Sequence, residues 1–335
     1  TYLLNKTQEL KVVQAGTVGN VRILDFAVLP YQPIKPKQSM IVAMGTLVGL
    51  FLGVVVVFIR KAMHQGVEDP DLIEQKTGMS VFASIPHSEV QVKIHGEMRK
   101  KKGSSDALLA LVDNADLAIE SLRSLRTNLH FAMMSSPNNR VMLTGPSPNL
   151  GKSFVSANFA AVLASSGKKV VVIDADMRKG HMHEYYHLQR SPGLSGLISG
   201  TVDLSEACHA TSIENLSVIP TGALPPNPAD LLMSERFDDI LDTLSSQFDL
   251  VFIDTPPVLA VTDAVLIGRR VGVSFMLLRS GRHPMGEIQH AIKTVEQAGI
   301  SLSGLIFNDI MPKRSLYGYG TYKYHYQYSY KKSDT

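Results

Sequence analysis

Short apolar runs recur through the second half of the chain at intervals that suit buried strands. Arg140-Val-Met-Leu-Thr144, Lys169-Val-Val-Val-Ile-Asp-Ala-Asp176, Leu250-Val-Phe-Ile-Asp254, Val273–Leu278 and Leu305–Asn308 are dominated by apolar residues and lack the alternation of a half-exposed strand. Segments with helical spacing separate them: Phe154–Ser165, Ala229–Ser246 and Glu287–Gln297. Ala107–Met134 precedes them as one long helical pattern. Its Ala118, Leu122, Leu125 and Leu129 form an apolar stripe, with Glu120, Arg123 and Arg126 on the opposite side of the wheel. Strands alternating with helices predict an α/β domain, a mostly parallel sheet with helices on both faces.

The first hundred residues read differently. Val21–Leu29 has strand character, and Pro30, Pro33 and Pro36 recur every third residue, as in an extended polyproline spacer. Met40–Ile59 then runs for twenty residues without a charge, the length of a membrane-spanning helix. Gly45, Gly49 and Gly53 lie four apart on one face of it, where small residues let membrane helices approach closely. Lys35 and Lys37 on one side balance Arg60 and Lys61 on the other, so charge alone does not orient the span. Beyond it, Ser80–Ile85 suits a short strand, and Arg99-Lys-Lys-Lys102 reads as a solvated basic linker or a contact for anionic headgroups. The predicted organisation is an end of an outer domain over 1–38, a membrane helix over 39–60, a linker over 61–106, an α/β domain over 107–314 and a tail over 315–335.

Composition narrows the classes. The chain has 335 residues, 44% of them hydrophobic, enough for a large core. A single cysteine, Cys208, excludes an internal disulfide and suits a reducing compartment. A net charge of +3 is too mild to indicate nucleic acid. A chain that begins at Thr1 rather than Met reads as a fragment or processed product.

The chemistry concentrates between the first of the short strands and the helix after it. Gly145-Pro-Ser-Pro-Asn-Leu-Gly-Lys-Ser153 is a strand–loop–helix sequence of phosphate-binding type, with Phe154 opening the helical run. Backbone N–H groups at a helix N-terminus attract anions, Lys152 at an exposed ligand site reaches the outer phosphates, and the Ser153 hydroxyl suits Mg²⁺. Five residues separate Gly145 from Gly151 where four are usual, so Pro146 takes the position of the first glycine. Gly145, Pro146, Ser147, Pro148, Asn149, Leu150, Gly151, Lys152, Ser153 and Phe154 are the candidate nucleotide contacts, with ATP and Mg²⁺ as the expected ligands. Ligands of open α/β sheets bind at the C-terminal ends of strands. Asp174, Asp176 and Asp254 stand at such ends, the two carboxylates of Asp-x-Asp expected to face the same crevice as the loop. His181, His183 and His187 lack a zinc-type pattern of accompanying ligands and read as surface. The tail carries Tyr317, Tyr319, Tyr322, Tyr324, Tyr326, Tyr328 and Tyr330 among Gly, Lys, His, Gln and Ser, a composition that cannot bury a core. It is either a cluster of accessible phosphate acceptors or a sticky low-complexity tail.

Membrane helix, phosphate-binding loop, Asp-x-Asp strand, second acidic strand and tyrosine tail together resemble the bacterial tyrosine kinases that act as exopolysaccharide co-polymerases of Gram-negative bacteria. Glu120-x-x-Arg123-x-x-Arg126 is similar to that family's oligomerisation motif, and Pro220–Leu231 also resembles it. Pro146 in the loop is similar to other members. The resemblance implies transfer of the ATP γ-phosphoryl group to tyrosine. Lys152 holds phosphate. Ser153, Asp176 and Asp254 hold Mg²⁺. Asp174, or alternatively Asp176, accepts the tyrosine proton, and Asn308 contacts adenine. It implies a homo-oligomeric ring in the bacterial inner membrane, with residues 1–38 periplasmic and those after 60 cytoplasmic. The implied partners are a low-molecular-weight protein-tyrosine phosphatase and the polysaccharide polymerisation and export machinery. Two other classes remain open: a membrane-tethered switch ATPase resembling the MinD/ParA group, whose early loop lysine is missing from Gly145–Leu150, and a chain-length scaffold without phosphotransfer.

Overall fold

The computed structural model describes residues 2–16, 25–26, 35–63, 66–100 and 108–311. The tail tyrosines and most of the expected strand and proline spacer over 21–33 lie outside the described residues.

The chain divides into two units, Thr1–Met63 and His64–Thr335. In the first, a helix spans Tyr2–Gly16 and a second spans Gln38–Met63. The stretch Gln38–Arg60 of the second is long and apolar enough to cross a membrane, and none of it is buried.

The second unit is built on one sheet. Among the described residues its strands are β1 (Val81–Pro86), β2 (Arg140–Thr144), β3 (Val170–Asp174), β4 (His209–Ala210), β5 (Leu216–Ile219), β6 (Leu250–Asp254), β7 (Val273–Arg279) and β8 (Gly304–Ile310). They lie in the order β1-β8-β7-β2-β6-β3-β5-β4, parallel except for β4 on the far edge. A period of two divides each central strand between opposite faces. Val141 and Leu143, Val170 and Val172, Leu250 and Phe252 point into one core with the helices Leu117–Met134 and Lys152–Ala164. Met142, Val171, Ile173, Val251 and Ile253 point the other way, against Leu194–Ser199 and Glu235–Gln247. Ile73 of Pro70–Thr77 and Ile288, Ala291 and Val295 of Met285–Gln297 cover the β7–β8 end of that opposite face. Covering both faces explains why the strands read as continuous apolar runs.

Three expected elements change. The helical pattern over 107–134 is broken, with a short helix at Leu109–Val112 and the long one beginning at Leu117. Asp116 causes the break, because its carboxylate accepts the Ala118 N–H at 2.7 Å and caps the second helix. Ala229–Ser246 likewise divides into Pro228–Leu232 and Glu235–Gln247, with Ser234 as N-cap of the second. The segment read as a linker is built into the domain instead. β1 pairs with β8, Asn128 Nδ2 donates to the Phe82 carbonyl at 2.6 Å, and a helix follows over Glu89–Lys100. The stripe Ala118, Leu122, Leu125 and Leu129 is buried as expected.

Candidate active site

β2 lies between β6 and β7, and the chain leaves its C-terminal end as the loop 145–151. The loop's backbone is held from outside. Val258 N–H donates to the Gly145 carbonyl at 2.9 Å and Leu259 N–H to that of Pro146 at 3.4 Å. Arg279 Nη1 donates to the Asn149 carbonyl at 3.2 Å, and Asn308 Nδ2 to that of Leu150 at 2.9 Å. With carbonyls committed outward, N–H groups are left to line the concave side, a cradle for an anion. Asn149 (φ 63°) and Gly151 (φ 90°) make the left-handed turns this path needs. A Cβ at Gly151 would lie 2.6 Å from Asn308 Nδ2, and one at Gly145 would lie 2.7 Å from Leu150 Cδ1, so both positions require glycine. Leu150 itself is buried in the core.

The helix begins at Lys152, immediately after Gly151. Lys152 was expected at an exposed ligand site, yet it is only 9% exposed. Its charge lies against Asp254, a buried carboxylate whose proton affinity burial raises and Lys152 lowers. Ser153 Oγ donates to Asp254 Oδ2 at 2.9 Å and Ser156 Oγ to Oδ1 at 3.0 Å. A hydroxyl and a carboxylate joined in this way, beside an anion cradle, form a hard-oxygen pair that suits Mg²⁺.

The two carboxylates of Asp-x-Asp separate. Asp174 sits opposite Asp254 in the β3–β6 register and is 1% exposed. It accepts the Met182 N–H at 2.9 Å and does not line the cleft. Burial first, and the neighbouring Asp254 second, push its pKa up to about 7. Asp176 lies past the end of β3, where the chain has left the strand. Its carboxylate accepts the Arg178 and Lys179 N–H groups at 3.2 and 2.9 Å, a turn that presents it to the cleft. The expectation that both face the crevice therefore holds for Asp176 alone. Asn308, expected at adenine, lines the cleft but gives its amide to the loop.

The cleft measures about 820 Å³ and takes in Pro148–Phe154, Asp176 and Asn308. Residues without a sequence signal complete it. Arg178, held by two bonds of 3.0 and 3.1 Å to the buried Asp263, lines it beside Asp176. On the opposite wall, Asp309 joins His87 Nδ1 at 2.5 Å to Arg279 Nε at 2.8 Å. The strand-end rule that picked out Asp254 also applies to Arg279 at the end of β7. His87 has no local signal, since β1 reaches the site by pairing with β8. Of the three histidines read as surface, His181 lines the cleft and is exposed, His187 is exposed, and His183 is half-buried. Burial lowers the pKa of His183.

Glu120 and Arg123 form an ion pair at 2.5 Å along the helix Leu117–Met134, and Arg123 also donates to the Asn114 carbonyl at 2.9 Å. Arg126 lines a separate cleft of about 440 Å³ with His130, Lys168 and Asp249.

Comparison with known proteins agrees with this layout. The family model "G-rich domain on putative tyrosine kinase" matches residues 1–62, and an AAA domain model matches residues 149–277. The chain is 45% identical to the tyrosine-protein kinase wzc of Salmonella typhi over 330 residues, 97% of this chain and 46% of that one. It is 41% identical to the tyrosine-protein kinase etk of Escherichia coli K12, over 93% of this chain and 44% of that one. It thus spans less than half the length of these curated relatives. Among solved structures, the BceF tyrosine kinase domain superimposes with a TM-score of 0.69 at 48% identity, covering 73% of this chain and 100% of that chain. The kinase domain of Escherichia coli ETK gives a TM-score of 0.69 at 39% identity, covering 76% and 99%. A nucleotide-type loop at the end of β2, acidic strand ends beside it and identity across the full solved kinase domains lead to one conclusion: the chain belongs to the bacterial tyrosine-protein kinase family.

Proposed function

We propose that this chain is the membrane-anchored catalytic part of an ATP-dependent protein-tyrosine kinase that phosphorylates the tyrosine cluster 317–330 of a neighbouring copy. The observation that carries the reading is the buried Lys152 and the Ser153–Asp254 pair at the mouth of an outward-tied loop, in a chain of this family. The loop N–H groups and Lys152 hold the phosphates, where charge develops during transfer. Ser153 and Asp254, with Asp176 nearby, would hold Mg²⁺, which neutralises phosphate charge when bound. The tyrosine oxygen forms its bond to the γ-phosphorus as the bond to the β–γ bridging oxygen breaks, and ADP leaves with that oxygen. The phenolic proton passes to Asp176, the carboxylate that lines the cleft; Asp174, whose pKa suits a base, is sealed from it. Arg178 is placed to steady charge beside Asp176.

ATP is cytosolic, so this reading puts the residues after 60 in the cytoplasm and those before 38 in the periplasm, across the inner membrane. The stretch from Tyr317 to Tyr330 extends at most ~50 Å, enough to reach a subunit packed alongside. The Glu120/Arg123/Arg126 face is the proposed ring contact. Complete modification of the seven tyrosines adds roughly −10 to −14 charges, which favours dissociation of crowded tails. Cycling between ring and separated subunits, with a low-molecular-weight phosphatase as the reverse arm, would gate polysaccharide polymerisation and export. Mixing a Lys152→Met chain with an active chain lacking residues 315–335 tests trans transfer. Label on the Lys152→Met chain supports it, and a mixture without label rules it out.

A further inference from the structure

Among the described residues, the tip of the nucleotide loop lacks the outside backbone ties of its two ends. Carbonyls at 145, 146, 149 and 150 accept bonds from outside the loop, while Ser147 is reached through its side chain. Its hydroxyl lies 3.4 Å from His283 Nε2. His283 is 2% exposed, and its Nδ1 lies 3.2 Å from Glu287 Oε1, one helical turn on. We propose that His283 is a positioning residue for phosphate binding, oriented by Glu287 and fixing the loop tip through Ser147. This rests on the reading of the loop as a nucleotide site.

The chemistry follows from the order of the three groups. A carboxylate accepts from Nδ1–H, which leaves Nε2 as the bare, accepting nitrogen. The Ser147 hydroxyl then donates to Nε2, which ties the loop tip to the 280–284 segment. The alternative acceptor is the Pro148 carbonyl at 3.5 Å, a bond within the loop that would fix nothing outside it.

The ring is itself held in place. The His283 carbonyl accepts the Val67 N–H at 2.9 Å, and Gly281 N–H donates to the Val67 carbonyl at 2.8 Å. Gly281 sits at φ 68°, and Gly66 is packed so closely on the Gly281 carbonyl that a Cβ there would collide with it. Segment 66–67 therefore straps the backbone that carries His283, and Glu287, 37% exposed at its side chain, fixes the ring from the helix Met285–Gln297. A buried histidine strapped at its backbone and oriented at Nδ1 is pre-organised to steady one further atom, and Ser147 Oγ is the atom within reach.

The test is a double-mutant cycle on binding of a non-hydrolysable MgATP analogue to the full chain in detergent. One net hydrogen bond corresponds to between about two- and tenfold in affinity. His283→Leu and Ser147→Ala should each weaken binding by that factor, and the double variant should lose no more than one of them. Glu287→Ala, on a partly exposed side chain, replaces His283→Leu in the cycle if the latter fails to fold. His283→Gln, which keeps an acceptor near Nε2, should bind within about twofold of the parent. Additive losses would overturn the proposal, and would point to Pro148 as the hydroxyl's partner. Unchanged binding in His283→Leu with altered thermal stability would also overturn it, leaving a packing role. Lys152→Met is the control for the underlying reading: if it binds the analogue like the parent, the nucleotide site fails rather than the role of His283.

Discussion

Replacing Asp174 by Asn should stabilise the ligand-free domain at high pH and leave it nearly unchanged at low pH. The carboxyl is fully buried beside Asp254, and its pKa is pushed up from 3.8 to about 7. At about 1.4 kcal/mol per unit, that shift is worth on the order of 4 kcal/mol. The sign follows from proton counting. Between pH 4 and 7 the folded state holds a proton that the unfolded chain has released, so stability falls as pH rises through that window and stays low above it. Asn cannot ionise and escapes the penalty. It also fits the site, since its oxygen can accept the Met182 N–H as Asp174 does. Its N–H₂ takes the place of Oδ1 beside the Thr221 hydroxyl, which bonds the carboxylate in the parent and can turn to accept from the amide, and the one bond given up is that from the Asp176 N–H at 3.3 Å. Urea denaturation of the unit His64–Thr335 without Mg²⁺ or nucleotide, at intervals from pH 4.5 to 8, gives the difference between variant and parent. That difference should grow with pH to a few kcal/mol by pH 8, while contributions of carboxylates remote from Asp174 cancel. A constant difference, or a variant less stable at pH 8, would refute the placement of Asp174 as a buried carboxylate next to a second one.

Three further outcomes follow. Lys152→Met should abolish phosphoryl transfer while far-UV circular dichroism stays that of the parent, because a long apolar side chain fills the same buried space. Asp254→Asn should weaken the dependence of nucleotide binding on Mg²⁺, since Ser153 would then face an amide rather than a carboxylate; titration of binding against Mg²⁺ measures it. Gly180→Ala should cost about 1–3 kcal/mol in denaturant unfolding, as its methyl would press on the hydroxyl of Thr221 and lie 2.6 Å from the Asp174 carboxylate.

The parts of the fold that declare themselves locally were legible in the chain. Val170–Ile173 and Leu250–Ile253 are apolar at every position because both sheet faces are covered, and their terminal aspartates mark the ligand end. The loop was legible for the same reason, since Gly145, Gly151, Lys152 and Ser153 carry its chemistry in consecutive sequence. What was missed depends on distant pairing or on single caps. β5 is four residues long with Ser217 among them, and β4 has two, so neither gives a periodic signal. The strand read at Ser80–Ile85 is present as β1, but its place in the sheet was not legible, because its partner β8 lies more than two hundred residues away. Asp116 and Ser234 divide helices whose apolar periodicity continues across the break. Spacing put Asp174 and Asp176 on one face, and only the turn after β3 shows that they part. The wall of His87, Arg279 and Asp309 joins three strand ends and exists in no local window.

Transfer of the γ-phosphoryl group from ATP to tyrosine in the cleft is the step on which the proposed function stands. Incubating the full chain with γ-labelled ATP and Mg²⁺, followed by peptide mapping, measures it directly. Phosphotyrosine should appear within residues 317–330 in the parent and be absent from Lys152→Met. Release of free phosphate without label on any tyrosine would contradict the proposed function and make the protein a switch ATPase.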